Sequence, residues 1–335
     1  MPTACIHQTG TRIRLVSERL EIHGINEATG HDGLLREIPI RDMDRLIMRE
    51  GVQISSEALA AVLRAQIPVS LMAWNGRFLG AFHPPANAHG LWRLRQYQRT
   101  LDPEFALSMA QRIVSAKIYN QRRVLQRLAA NRELDLAHEI SRMEALLTQA
   151  GRVQAVEELL GVEGAASARY FQIWAGFLPP EFPFERRSTR PPHNAVNACI
   201  SFGATLLYQE TVACIHAHGL DPSLGLLHST EDGRWSLALD LLEPFRSVLI
   251  EALTLDLFSR QMLKTADFEP NNGGIYLSDS GRRTFILQYE RRMERQFLSE
   301  HVGHRTTLRS QLDYQATILK AALETPSRFE PFLMN

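Results

Sequence analysis

Residues 83–90, HPPANAHG, divide the chain into two textures that one periodic pattern cannot span. Each proline fixes φ, removes an amide donor and pushes the residue before it out of the helical region. Neither a helix nor a central strand runs through such a stretch. On its N-terminal side, TRIRLVSERLEIHG and DRLIMREGVQISS mix β-branched and apolar residues with alternating charge, the pattern of half-buried strands. IPVSLMAWNGRFLGAF sets Asn75-Gly76 between two apolar runs, which predicts a hairpin. Ser55 or Ser56 caps a short helix, EALAAVLRAQ, closed by Pro68.

Beyond the break the texture is helical. Asp102-Pro103 is an N-cap followed by proline at the first helical position, opening a long arginine-studded run through Arg132. ELDLAHEISRMEALLTQA carries apolar residues three and four apart. GVEGAASARYFQIWAGF reads as a helix entered through Gly161 and Gly164, and NAVNACISFGATLLYQETVACIHAHG as a buried helix ending at Gly219. A helix to about Leu263, a hairpin around NNGGIYLSDSGRR and one or two C-terminal helices complete the chain. The expectation is an α+β protein: a small β-rich, sandwich-like domain with one short helix over 1–85, and an α-helical domain over 86–335.

Formal net charge is zero over 335 residues, so no global field marks a nucleic-acid or membrane binder. Of 37 basic residues only Lys117, Lys264 and Lys320 are lysines. The plainer reading of that bias is genomic base composition; the functional one is that arginine forks suit phosphate. Cys5, Cys199 and Cys214 lack zinc spacing and suggest no disulfide framework, which fits a reduced, cytoplasmic setting. The N-terminus has no signal-peptide core, and no uninterrupted apolar run approaches the ~18 residues of a membrane span. A soluble protein without a membrane partner is expected.

The chemistry concentrates in GLLHSTEDGRWSLALDLLEPFR, residues 225–246. Asp240 and Glu243 share a helix face within a run apolar enough to be buried, and buried carboxylates are costly unless paired. Pro244 in mid-helix would remove the hydrogen bond to the Asp240 carbonyl; the pattern favours a helix restarting near Pro244 instead. The plainer reading is that the acids only complement a helix dipole. His228, in the loop leading to them, is a core histidine or a ligand. A histidine with carboxylates suits Mg²⁺ or Mn²⁺ and leaves positions for phosphate and water. Glu163, flanked by Gly161 and Gly164, is a third candidate, or a helix-start acid.

Taken together these segments resemble a family. GVEGAASARYF, RPPHNAVNACISFGATLLY and GLDPSLGLLHSTEDGRWSLALDLLEPFR are similar, in order, to segments of the CRISPR-associated adaptation integrase, the Cas-one family. The strand-rich start and GGIYLSDSGRRTFILQYERR match as well, so the resemblance covers nearly the whole chain. It implies a metal-dependent DNA integrase and endonuclease of spacer acquisition. A 3′-hydroxyl of a short DNA fragment would attack a phosphodiester of the CRISPR repeat. It implies Glu163, His228 and Glu243 as ligands of Mg²⁺ or Mn²⁺, with Asp240 an auxiliary acid. It implies a homodimer formed mainly through the strand domain, and a small partner, Cas-two. Asn194, Cys199 and Ala204 depart from the family's aspartate, leucine and tyrosine, so a DNA-contact or support role at those positions does not carry over from the resemblance; the metal ligands are untouched by these departures.

Double-stranded and branched DNA would then be held by positive charge. Candidates are Arg186, Arg187 and Arg190 in the proline-rich loop; Arg122, Arg123 and Arg127 on the long helix; Arg169 and Tyr170 after Glu163; and Arg282 and Arg283 near the hairpin. Two other classes stay open. One is a divalent-metal phosphoesterase for a smaller substrate; the other is a non-enzymatic helical DNA-binding protein whose acids are structural.

Overall fold

The computed structural model describes residues 3–26, 29–73, 78–84, 90–300 and 302–335. The predicted Asn75-Gly76 turn and most of the 83–90 break lie outside the described residues. The chain forms two compact units, Met1–Asn87 and Ala88–Asn335.

The first unit contains β1 (Thr3–Ile6), β2 (Arg12–Val16), β3 (Arg19–Ile25), β4 (Asp32–Pro39), β5 (Arg45–Arg49), β6 (Gln53–Ile54), α1 (Ser56–Arg64), β7 (Val69–Met72) and β8 (Phe78–Phe82). Two four-stranded sheets form, in the orders β4-β3-β2-β6 and β1-β5-β7-β8. β7 and β8 pair antiparallel with Val69 opposite Phe82, while β1, β5 and β7 run parallel. Alternation sets the faces: Leu20, Ile22 and Gly24 of β3 are buried, and Arg19, Glu21 and His23 lie on the other side. Ile13, Leu20 and Ile22 of one sheet share a core with Ala4, Leu46 and Val69 of the other. Ala58 and Val62 of α1 complete it, and Ser55 caps that helix by accepting from the Ala58 amide at 3.2 Å.

The second unit is built on α2 (Gly90–Thr100), α3 (Pro103–Arg132), α4 (Ala137–Ala150), α5 (Val156–Ala175), α6 (Ala195–Ala217), α7 (Ser236–Arg246), α8 (Ala252–Ser259), α9 (Asp279–Glu294) and α10 (Leu308–Ala322). Asp102 caps α3 as its sequence predicts, accepting from the Glu104 and Phe105 amides at 3.1 and 3.3 Å. α3 is central: it packs against α4, α5 and α7. Its buried stripe of Met109, Ile113, Val114, Ile118 and Val124 also carries Lys117, Asn120 and Gln121. α6 is long and apolar enough to cross a membrane by composition, but most of it is buried within this unit, as a core helix requires.

Several expectations are corrected. α5 begins at Val156, so Gly161, Glu163 and Gly164 lie inside the helix, not at its entry. The helix expected to reach about Leu263 ends at Ser259. β9 (Phe268–Asn271) and β10 (Gly274–Leu277) are the expected hairpin; β11 (Phe297–Ser299) and β12 (His304–Thr306) are a second, unexpected one. No helix restarts at Pro244: α7 runs through it and passes into a π-helical turn, Ser247–Glu251, then into α8. Proline strips a donor from the ladder, and the widened turn follows directly. Asn120 donates to the Pro244 carbonyl at 2.7 Å, where the chain enters the π turn, and also to the Phe332 carbonyl at 2.9 Å. Phe332 stacks on Phe245 of α7 with centroids 4.7 Å apart, fixing this irregular segment from its other side.

Candidate active site

Asp240 is completely buried, and the 225–228 loop is folded around its carboxylate. One oxygen accepts from the Leu226 and Leu227 amides at 2.6 and 3.0 Å. The other accepts from the His228 amide at 3.0 Å and meets His228 Nδ1 at 2.7 Å. Four polar partners meet the desolvation cost of the charge. The loop doubles back so tightly that a Cβ on Gly225 would lie 2.0 Å from the His228 carbonyl oxygen. The Asp240 carboxylate, expected as an auxiliary acid or a support, thus holds the 225–228 loop and the His228 ring. With Nδ1 committed to it, His228 presents Nε2. Burial lowers the His228 pKa, but the Asp240 hydrogen bond and charge, with Glu243 and Glu163 behind them, raise it overall.

Glu163 of α5 and Glu243 of α7 meet at the ammonium of Lys117 on α3. Lys117 Nζ pairs with Glu163 Oε1 and lies 2.6 Å from Glu243 Oε2. Glu243 Oε1 also takes Arg246 Nη1 at 3.1 Å. Burial alone would raise the Glu243 pKa; Lys117 and Arg246 reverse that and hold it near about 2. Burial would lower that of Lys117, and Glu243 and Glu163 raise it instead. For Glu251, in the π turn, burial prevails and its pKa rises.

These groups open on a cavity of about 680 Å³ enclosed by α3, α5, the π turn and the proline-rich loop. Lys117, Arg186, Arg187 and Arg246 line it against Glu163, Glu185, Glu243 and Glu251. Gln121 Oε1, Ser167 Oγ, Ser247 Oγ and Glu251 Oε2 are buried in its walls without a hydrogen-bond partner among the described residues. Buried polar atoms around one space leave room for water, an ion or a polar ligand to complete their hydrogen bonds.

The donor set fits a small divalent cation. Two carboxylates already share one cation, and the oriented imidazole of His228 lies within electrostatic reach of both. The closed three-ligand arrangement is not formed: among the described residues no three His, Cys, Asp or Glu side chains stand as a ready metal cluster. The Lys117 ammonium stands at the point that Glu163 and Glu243 share.

The expected DNA contacts sort by burial. Arg186 and Arg190 are exposed; Arg187 is partly buried and donates to Asn197 Oδ1 at 2.5 Å, and burial lowers its pKa to about 10. Arg123 and Arg127 lie on the partly and fully exposed face of α3, Arg123 donating to Gln126. Arg283 is exposed. Arg122 is paired with Glu144 and lies over the Tyr119 ring, and Arg169 is paired with Glu139. Two assignments are corrected. Tyr170 is fully buried, packed edge-on against Phe171, and belongs to the core. Arg282 is buried and holds the Leu277 carbonyl at 2.7 Å and the Asp279 carboxylate. Of the departures, Asn194 caps α6 by accepting from the Asn197 amide at 2.8 Å, and Cys199 is buried.

Lys117, Arg246 and Glu251 escaped sequence reasoning. Lys117 had a signal: it is one of three lysines in a chain that otherwise uses arginine, on the apolar stripe of a helix. Arg246 had one too, its i,i+3 spacing from Glu243 on α7; Glu251 had none, because only the π turn brings it to this wall.

The family model described as CRISPR associated protein Cas1 matches residues 4–291. A CRISPR-associated exonuclease Cas4/endonuclease Cas1 fusion of Geobacter sulfurreducens is 31% identical over 95% of the chain, which spans 56% of that relative. A CRISPR-associated endonuclease Cas1 of Thermus thermophilus is 31% identical over 93% of this chain and 92% of its own length. The chain thus covers about half of some relatives and nearly all of others. Among solved structures, a casposase bound to integration product shares the fold with a TM-score of 0.87 at 23% identity, over 97% of this chain and 91% of that one. A Cas6-RT-Cas1–Cas2 complex gives 0.82 at 25% identity, over 100% of this chain and 36% of that one.

Proposed function

The chain belongs to the Cas1 family of CRISPR-associated proteins, and from that premise we propose that it is a metal-dependent DNA endonuclease and integrase of spacer acquisition. It joins 3′-hydroxyl ends of short DNA fragments to the CRISPR repeat by transesterification; water in place of the hydroxyl gives cleavage. The observation that carries this reading is the meeting of Glu163 and Glu243 at one cation beside His228, on a cavity lined by arginine.

Glu163, Glu243 and His228 Nε2 would hold Mg²⁺ or Mn²⁺, which when bound supplies Lewis-acid polarisation of the scissile phosphate. The remaining work falls to the chain. Asp240 keeps the Nδ1 proton of His228 and so leaves Nε2 a lone pair. Arg186 and Arg187 line the same cavity and would hold phosphates flanking the scissile one, and Arg246 keeps Glu243 ionised and aimed. Arg190, Arg123, Arg127 and Arg283 extend a sequence-independent contact with duplex or branched DNA. The chain pairs with a second copy through its strand unit, where β4 is an outer strand with largely exposed side chains. It works with the small partner Cas2, as the Cas1–Cas2 neighbour supports, and acts in the cytoplasm.

The test is strand transfer and cleavage of branched, 3′-hydroxyl-ended DNA with Mn²⁺ or Mg²⁺, comparing the wild-type chain with Glu163→Ala, His228→Ala and Glu243→Ala. Loss of both activities in each folded variant, and on chelation, is expected. Activity that survives all three substitutions rules the site out. Metal-dependent hydrolysis of small phosphodiesters only would mark a different phosphoesterase. DNA binding without any reaction would mark a non-enzymatic protein.

A further inference from the structure

We propose that the Lys117 ammonium is the resident competitor of the divalent ion: it holds the Glu163 and Glu243 carboxylates together and must leave them for the ion to bind. The inference rests on reading that pair as the metal site.

Lys117 is 6% exposed at its side chain, on the apolar stripe of α3. A lysine there is costly unless paired, and its ion-pair partners are the two carboxylates assigned to the metal. It uses Glu163 Oε1 and Glu243 Oε2, carboxylate oxygens of the kind a hard ion takes. The ammonium thus gathers two acids from different helices at one point, and it compensates their mutual repulsion. An ammonium and a divalent cation cannot both occupy the point between two carboxylates in a buried site, where like charges repel strongly.

The displaced ammonium has somewhere to go. Its four-carbon stem is flexible. Glu251, on the same cavity, lies within electrostatic reach of Lys117 and has a carboxylate oxygen without a hydrogen-bond partner among the described residues. Moving from the Glu163–Glu243 pair to Glu251 would keep the ammonium compensated while the ion takes its place.

The probe is Mn²⁺ alone, titrated into the full chain at pH 8 and followed by loss of the free-ion electron paramagnetic resonance signal. Thermal unfolding in chelator and in Mn²⁺ provides a second readout. Removing a cation in contact with a carboxylate changes its affinity for another positive charge by at least about tenfold. Lys117→Met should therefore bind Mn²⁺ at least about tenfold more tightly than wild type. It should unfold at lower temperature in chelator and gain more from Mn²⁺. Lys117→Gln, which keeps a polar head between the acids, should show the same order if Lys117→Met does not fold. Glu163→Gln should abolish binding in either background. Wild-type binding that depends on Glu163 but is not tightened by either lysine substitution overturns the Lys117 proposal and leaves the metal site standing. No Mn²⁺ binding by wild type or either lysine variant overturns both.

Discussion

Replacing Asp240 with asparagine tests the geometry on which His228 depends. The two carboxylate oxygens accept four hydrogen bonds, three from backbone amides and one from His228 Nδ1. An asparagine offers one acceptor oxygen and one NH₂ donor. If the NH₂ takes the place facing Leu226 and Leu227, two buried amides lose their acceptor. At about 1–3 kcal/mol for each stranded donor, Asp240→Asn should cost about 2–6 kcal/mol. If it faces His228 instead, one amide is stranded and Nδ1 becomes an acceptor, which moves the ring proton to Nε2. That tautomer has no lone pair for a metal. Either way, the stability loss should appear in urea unfolding, and Mn²⁺ affinity should fall together with strand transfer. A folded Asp240→Asn protein within about 0.5 kcal/mol of wild type, the range of an inconsequential surface change, would refute this reasoning. So would unchanged Mn²⁺ binding.

Acid should weaken the fold through Glu243. Its folded pKa, about 2, lies below the ordinary 4.5, so its contribution is present above pH 4.5 and is lost as pH falls towards 2. A shift of that size corresponds to about 3 kcal/mol. Wild type should lose this stability between pH 5 and 2 relative to Glu243→Gln, and parallel unfolding curves would contradict the assignment. Two glycines should respond in opposite ways. A Cβ at Gly225 would strike the His228 carbonyl oxygen and lie 2.7 Å from Ser236 Cβ, so Gly225→Ala should displace the histidine loop and abolish activity. Nothing lies within 4 Å of a Cβ at Gly164, so Gly164→Ala should fold with up to about 1 kcal/mol more stability by differential scanning calorimetry. Destabilisation there would show that the helix surface is not open.

Local signals carried most of the fold. Period-two alternation predicts the strands, and Ser55 and Asp102 cap α1 and α3 because a polar side chain beside the first free amides is a local arrangement. Errors arose where tertiary packing overrides local rules. Gly161 and Gly164 read as a helix entry, yet α5 continues through both, with Tyr170 and Trp174 fully buried on the same helix. Pro244 reads as a break, yet Asn120, remote in sequence, takes up a carbonyl beside it and the chain widens into a π turn. The resemblance supplied Glu163, His228 and Glu243. It did not show that Asp240 is spent on the loop carrying His228, or that Lys117 bridges the other two. Both depend on which helices become neighbours, which a one-dimensional pattern does not contain.

The most direct measurement is anomalous scattering from crystals of the full chain grown with Mn²⁺. The account predicts one strong peak bonded at about 2.0–2.2 Å, the distance of a small hard ion, by carboxylate oxygens of Glu163 and Glu243 and by Nε2 of His228. Lys117 should have turned away from the pair, and Asp240 should still be on Nδ1. A peak elsewhere, a peak on Asp240, or no peak with Lys117 still bridging the two glutamates would contradict it.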